Sequence, residues 1–113
     1  MYNKMVAMIK KLAPAEFPPQ FAEMADPPAE LYLQGELPDP KENIYLTVVG
    51  SRKFSHYGRE AGEKIVSELA GYPVVIVSGL ALGIDTLAHR VALECRLKTV
   101  AVPGSGLDRS VLH

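Results

Sequence analysis

The chain has 113 residues, 48% hydrophobic and 22% charged, values that suit one globular domain with a modest core and leave no room for two. Its net charge of −1 argues against a strongly basic binding surface, and no apolar run approaches the ~18 residues that span a membrane. Cys95 is the single cysteine and has no internal disulfide partner, which fits a reducing cytoplasm.

Charge is unevenly placed. Residues 1–43 carry four Lys against seven Asp and Glu, whereas residues 44–113 carry eight Lys and Arg against six acids. The positive surplus of the second part is small, so its meaning depends on where the cations sit. Lys4, Lys10 and Lys11 are not followed by an apolar stretch with a cleavage site, so a signal peptide is not expected.

Residues 1–12 have the pattern of a short amphipathic helix. Seven of the nine prolines then fall between Pro14 and Pro40, where no long helix can persist, and the chain is expected to run extended. Turns are expected near Asp26-Pro27-Pro28 and Leu37-Pro38-Asp39-Pro40. Phe17, Phe21, Leu31, Tyr32 and Leu33 are too apolar for a solvated tail, so this segment should dock on the main domain, with 31–33 as a strand or clasp.

From Ile44 the pattern becomes regular. A strand is predicted over 44–49, and Ser55 can cap a helix over 56–70 whose stripe is Ala61, Ile65, Val66 and Leu69, with Gly71 as its stop. A second strand covers 74–77. Asp85 can cap a second helix over 86–96 that turns Ala88, Val91, Ala92 and Cys95 inward, and a third strand covers 99–102. Three strands joined by two helices imply a parallel α/β sheet, half of a doubly wound fold, with apolar strands covered on both faces. The expected division is a Pro-rich lead-in over 1–43 and this sheet over 44–113.

Each strand leaves into glycine: Gly50-Ser51-Arg52, then Ser78-Gly79 with Gly83, then Gly104-Ser105-Gly106. Glycine lets backbone N–H groups approach an anion, and a following helix N-terminus adds positive potential. Parallel strands bring these exits to one edge, where open α/β sheets bind ligands. Arg52, Lys53 and Arg109 can collect there, whereas Lys98 belongs to the opposite edge. The candidate phosphate-binding set is Gly50, Ser51, Arg52, Lys53, Ser55, Tyr57, Gly58, Ser78, Gly79, Ala81, Gly83, Gly104, Ser105, Gly106 and Arg109. Tyr57 is either a stacking platform for a base or a packed side chain, and Ser78 donates either to a ligand or to backbone. Asp85 and His89 stand at i, i+4 and are expected to contact each other structurally. No nucleophile elbow accompanies them, so no catalytic residue is assigned. The dinucleotide fingerprint is absent after the first strand, and no His or Cys lies at ligand spacing around Cys95, so neither cofactor nor metal is expected.

Taken in order, Gly50-Ser51-Arg52, Ser55-His56-Tyr57-Gly58, Ser78-Gly79-Leu80-Ala81-Leu82-Gly83-Ile84-Asp85 with Ala88-His89, and Gly104-Ser105-Gly106-Leu107-Asp108 resemble the DNA-processing protein A (DprA/Smf) family. Asp26-Pro27-Pro28-Ala29-Glu30-Leu31-Tyr32-Leu33-Gln34-Gly35 also resembles the family's lead-in to a Rossmann-like domain. The resemblance covers roughly residues 17–110. It implies a non-enzymatic protein that binds single-stranded DNA in natural transformation, helps load a RecA-type recombinase and self-associates. It also implies that Arg52 contacts the DNA backbone. Pro103 departs from the family pattern, and Leu112-His113 stands where the family continues with a Tyr-Pro step and the second half of its domain, so a truncated member is expected. Two other readings stand beside it. One is a nucleotide phosphoribohydrolase of the lysine-decarboxylase-like superfamily, whose Gly-Gly-x-Gly-Thr loop residues 103–108 only partly match. The other is a remnant without binding activity.

Overall fold

The structure is a computed structural model that describes residues 9–79 and 82–103. Strand β1 (Ile9–Leu12) pairs antiparallel with β2 (Leu31–Gln34), Leu12 opposite Leu31 and Ile9 opposite Gln34. The helix expected at the N-terminus is therefore a strand over its last four residues: the partner at 31–34 offers a complete ladder that a four-residue helix could not match. Between them the Pro-rich segment is more compact than extended. It makes two 3-10 turns, Pro14–Glu16 and Pro19–Glu23, each with Pro at its start, and packs the Phe17 ring against that of Phe21 in a tilted pair with centroids 5.3 Å apart. Tyr32 donates to Glu30, and that bond, with Lys11 nearby, holds the Glu30 carboxyl below its ordinary value.

The second sheet is parallel and ordered β3-β4-β5, from β3 (Ile44–Thr47), β4 (Val74–Ser78) and β5 (Lys98–Ala101). Tyr45 pairs with Val75 and Val77 with Val100, which fixes the register across all three strands. Helix α1 (His56–Ser67) begins at Ser55, whose Oγ accepts the Gly58 N–H at 3.0 Å, the cap expected from the sequence. It ends earlier than the sequence pattern suggests, with 3-10 bonds from Leu69 and Ala70 leading to Gly71 at φ +89°. Helix α2 (Ile84–Glu94) closes through paired bonds from Arg96 N–H to Leu93 and from Leu97 N–H to Ala92, with Arg96 left-handed and Leu97 tucked into the core.

Both helices lie on the same face of the sheet and pack on each other. Val66 of α1, Leu87, Ala88, Val91 and Ala92 of α2, and Val74 and Ile76 of β4 form one core, with Leu69 and Cys95 at its margin. Ile65, expected in the stripe, is 60% exposed because α2 covers a narrower band of α1 than the sequence allows for. Outside, Glu63 bridges the helices by meeting Arg90 and Arg59, each at 3.3 Å. Arg90 first and Arg59 second hold its carboxyl below the ordinary value. The bridge therefore supports the fold above the ordinary carboxylate range and loses that support as pH falls below it, through the lowered value of the folded state. Partial exposure to solvent and salt keeps the contribution small.

The two faces of the sheet are covered unequally, although Val75 on the second face is fully buried. No helix covers that face among the described residues. The N-terminal segment does so in part, leaving a cleft of about 920 Å³ between Leu12, Phe21 and Leu31 on one side and Tyr45, Val77 and Val100 on the other. Docking of the Pro-rich segment is thus as expected, but it does not fill the space a crossover helix would occupy. No described helix is long and apolar enough to cross a membrane.

Candidate functional site

The parallel strands deliver their carboxyl ends to one edge, and the first two exits interlock there. Ile84 N–H, opening α2, donates to the Ser51 carbonyl at 3.1 Å. Gly83 makes that closeness possible. Its φ is +91°, and a Cβ there would lie 2.3 Å from the Ser51 carbonyl oxygen and 2.5 Å from Arg52 Cα. Gly50 leaves room for the Ile84 side chain, and Gly79 for the Asp85 carboxylate. These three glycines therefore join loop to loop, a packing role added to the ligand approach read for Gly50 and the turn geometry read first for Gly79 and Gly83.

The third exit reaches the same edge: Val102 N–H donates to the Ser78 carbonyl at 2.9 Å. Gly104, Ser105, Gly106 and Arg109 lie outside the described residues, as do Leu80 and Ala81. Lys98 stands at the far end of β5, on the edge away from these exits.

The described hydroxyls of the site each bond within the protein, Ser51 and Ser55 at the surface and Ser78 in the interior. Ser51 Oγ accepts the Lys53 N–H at 3.1 Å, Ser55 Oγ is the α1 cap, and buried Ser78 donates to the Val48 carbonyl at 2.6 Å. Of the two roles open to Ser78, the structure gives the bond to backbone. Facing outward are Arg52 and Lys53, both exposed, and Tyr57, whose 78% exposure rules out the packed alternative and leaves its ring open as a platform. Gly58 follows Tyr57 within the first turn of α1.

Two expectations around α2 are corrected. Gly83, not Asp85, is its N-cap residue, and Asp85 lies in the first turn. His89 does not bond Asp85. Its Nδ1 meets Thr99 Oγ1, and its Nε2 lies 2.8 Å from the Gly79 carbonyl and 3.2 Å from that of Ser78. Helix α2 starts two residues, about half a turn, earlier than a cap at Asp85 would require, and its His89 ring faces β4 and β5. Sequence reasoning missed Thr99. Its signal was a lone hydroxyl in an otherwise apolar strand, which implies a polar partner across the layer. Among the described residues no three His, Cys, Asp or Glu side chains gather as a metal site would need.

Comparison with known proteins places this arrangement. The chain is 42% identical over 100 residues to protein Smf of Escherichia coli, covering 86% of this chain and 26% of that protein. It is 45% identical over 92 residues to the DNA processing protein DprA of Streptococcus pneumoniae, covering 81% and 32%. It thus spans between a quarter and a third of these relatives. The solved DprA structure from Streptococcus pneumoniae superposes with a TM-score of 0.79 at 40% identity, over 88% of this chain and 35% of that one. DNA processing protein A from Helicobacter pylori, described for its single-stranded DNA binding mode, superposes with a TM-score of 0.76 at 30% identity, over 90% and 45%. The fold is thus Rossmann-like, as these neighbours share it. With residues 8–112 matched by the profile for DNA recombination-mediator protein A, the chain belongs to that family.

Proposed function

We propose that this chain binds single-stranded DNA at the carboxyl edge of its sheet, with Arg52 and Lys53 meeting phosphates and Tyr57 stacking on a base. The observation that carries this reading is the outward set of Arg52, Lys53 and Tyr57 beside the capped start of α1, on a loop held rigid by Gly83 and Ile84. Guanidinium and ammonium supply charge, the ring supplies a sequence-tolerant platform, and the Ser51 and Ser55 hydroxyls bond backbone N–H groups of the loop and the helix start. Family membership and the single-stranded DNA binding described for the Helicobacter pylori neighbour support it. Gly104, Ser105, Gly106 and Arg109 complete the edge in this reading. The role is a cytoplasmic one in DNA uptake and recombination, presenting the strand to a RecA-type recombinase. Co-sedimentation of the chain, an oligonucleotide and such a recombinase tests that partner, and no ternary species would remove it.

The site binds rather than catalyses. Among the described residues, Ser51 and Ser55 Oγ accept backbone N–H groups, Ser78 donates to the Val48 carbonyl, and His89 lies against Thr99 and the Gly79 carbonyl rather than against a serine, so no serine–histidine pair is formed.

Binding of an oligo-dT strand should weaken as salt rises, because each phosphate contact releases a counterion. Arg52→Ala should lower the magnitude of the log–log slope by about 0.7 and weaken binding alike for all sequences. A flat salt response, or an unchanged slope in Arg52→Ala, would overturn the assignment.

We further propose that the chain self-associates. Strands β3 and β5 are edge strands of the sheet among the described residues, with Ile44 66% and Leu46 38% exposed on β3, and the cleft leaves apolar surface open. Sedimentation should show a dimer or larger species at high micromolar concentration, and a compact monomer there would refute this.

A further inference from the structure

We propose that His89 is a positioning residue that sets the direction of the second glycine exit, through a neutral imidazole protonated at Nε2. The inference rests on the reading of that exit as part of the binding edge. The argument begins with the partners. Both groups near Nε2 are carbonyl oxygens, Gly79 at 2.8 Å and Ser78 at 3.2 Å, and a carbonyl only accepts, so Nε2 must carry a proton. Nδ1 faces the Thr99 hydroxyl, which can donate, so the neutral ring satisfies every contact with a single proton.

What this ring connects is more than one loop. His89 is carried by α2, its Nδ1 partner by β5, and its Nε2 partners by the end of β4 and the residue after it. The Ser78 carbonyl also receives the Val102 N–H, and the Ser78 hydroxyl reaches the Val48 carbonyl next to β3. Ser78 and His89 therefore tie all three strand exits at one point. A trans peptide sets its N–H opposite its C=O. Drawing the Ser78 carbonyl toward β5 and His89 turns the Gly79 N–H away from them, as an outward donor. Without the imidazole, the Gly79 carbonyl loses its partner in a half-buried place, and the exit is free to rotate.

The test uses the full chain in three forms besides the parent: His89→Ala, His89→Gln and Thr99→Val. Glutamine carries an N–H donor at a reach close to that of Nε2, and valine keeps the shape of threonine without its hydroxyl. Long-range proton–nitrogen NMR of the parent should show the Nε2–H tautomer near neutral pH. Thr99→Val should move the His89 Nδ1 resonance and the Gly79 amide while leaving far-UV circular dichroism unchanged. Oligo-dT binding should weaken about tenfold in His89→Ala, the order expected for one lost hydrogen bond, and recover to within about threefold in His89→Gln. A protonated Nδ1 in the parent, or an unmoved Gly79 amide in folded His89→Ala or Thr99→Val, overturns the proposal. If His89→Ala does not fold, His89→Gln and Thr99→Val decide by the same resonances. Failure of the parent to bind DNA defeats the binding reading, while the NMR measurements still decide whether His89 orients the exit.

Discussion

Gly83→Ala is expected to destabilise the fold by about 2–6 kcal/mol, a large share of the ~5–15 kcal/mol that holds a domain of this size together. Two costs add at this position. The backbone stands at φ +91°, where an L side chain is strained. The new methyl would also enter space already held by the Ser51 carbonyl and Arg52 Cα, and backbone atoms cannot rotate aside as a side-chain tip can. Gly71→Ala separates the two costs. Its φ of +89° is nearly the same, but a Cβ there meets nothing within 4 Å. That variant should lose about 1–2 kcal/mol, the backbone cost alone. Denaturant melts of both variants measure the difference. Equal losses would mean that the first and second exits are not locked together, and the rigidity ascribed to the Arg52 loop would go with them.

The same comparison shows what the sequence could and could not reveal. The helical and strand periods of residues 44–103 predict β3, α1, β4, α2 and β5 in order, because each burial pattern is local and Val66, Val74, Ile76 and Val91 recur at the right spacing. Ser55 was legible as a cap for the same reason: the bond it makes closes within three residues. Asp85 misled because an acidic residue before an apolar run is a common cap, whereas this helix starts where a glycine can fit under the Ser51 loop. That requirement is set by a contact more than thirty residues away, invisible to any window. His89 misled likewise. An i, i+4 pairing with Asp85 is the nearest partner in sequence, but Gly79 and Thr99 are nearer in space. What covers the second sheet face was hidden for a different reason. Apolar strands such as Val74-Val75-Ile76-Val77 record that both faces avoid water, not which layer covers each. Residues 9–12 offered too short a pattern to choose between helix and strand, and pairing with 31–34 decided it.

Ile76→Ala should cost about 2–5 kcal/mol, the range for truncating a buried aliphatic side chain in a core that cannot collapse around the void. Ile76 of β4 is 0% exposed on the sheet face beneath the helices, within the cluster that contains Val66 and Leu87. Its neighbour Val77 points to the other face and lines the cleft. A matched pair of Val→Ala changes, one at Val66 and one at Val77, then reads the asymmetry with the chemistry held constant. Val66, 1% exposed beneath α2, should lose clearly more than Val77, whose side chain is only half-buried and whose removal enlarges a space that is already open. Equal losses in the isolated chain would mean that something covers the cleft as tightly as the helices cover the core. If that equality appeared only at high protein concentration, the cover would be a second copy of the chain, because a partner that binds the folded form adds stability by mass action.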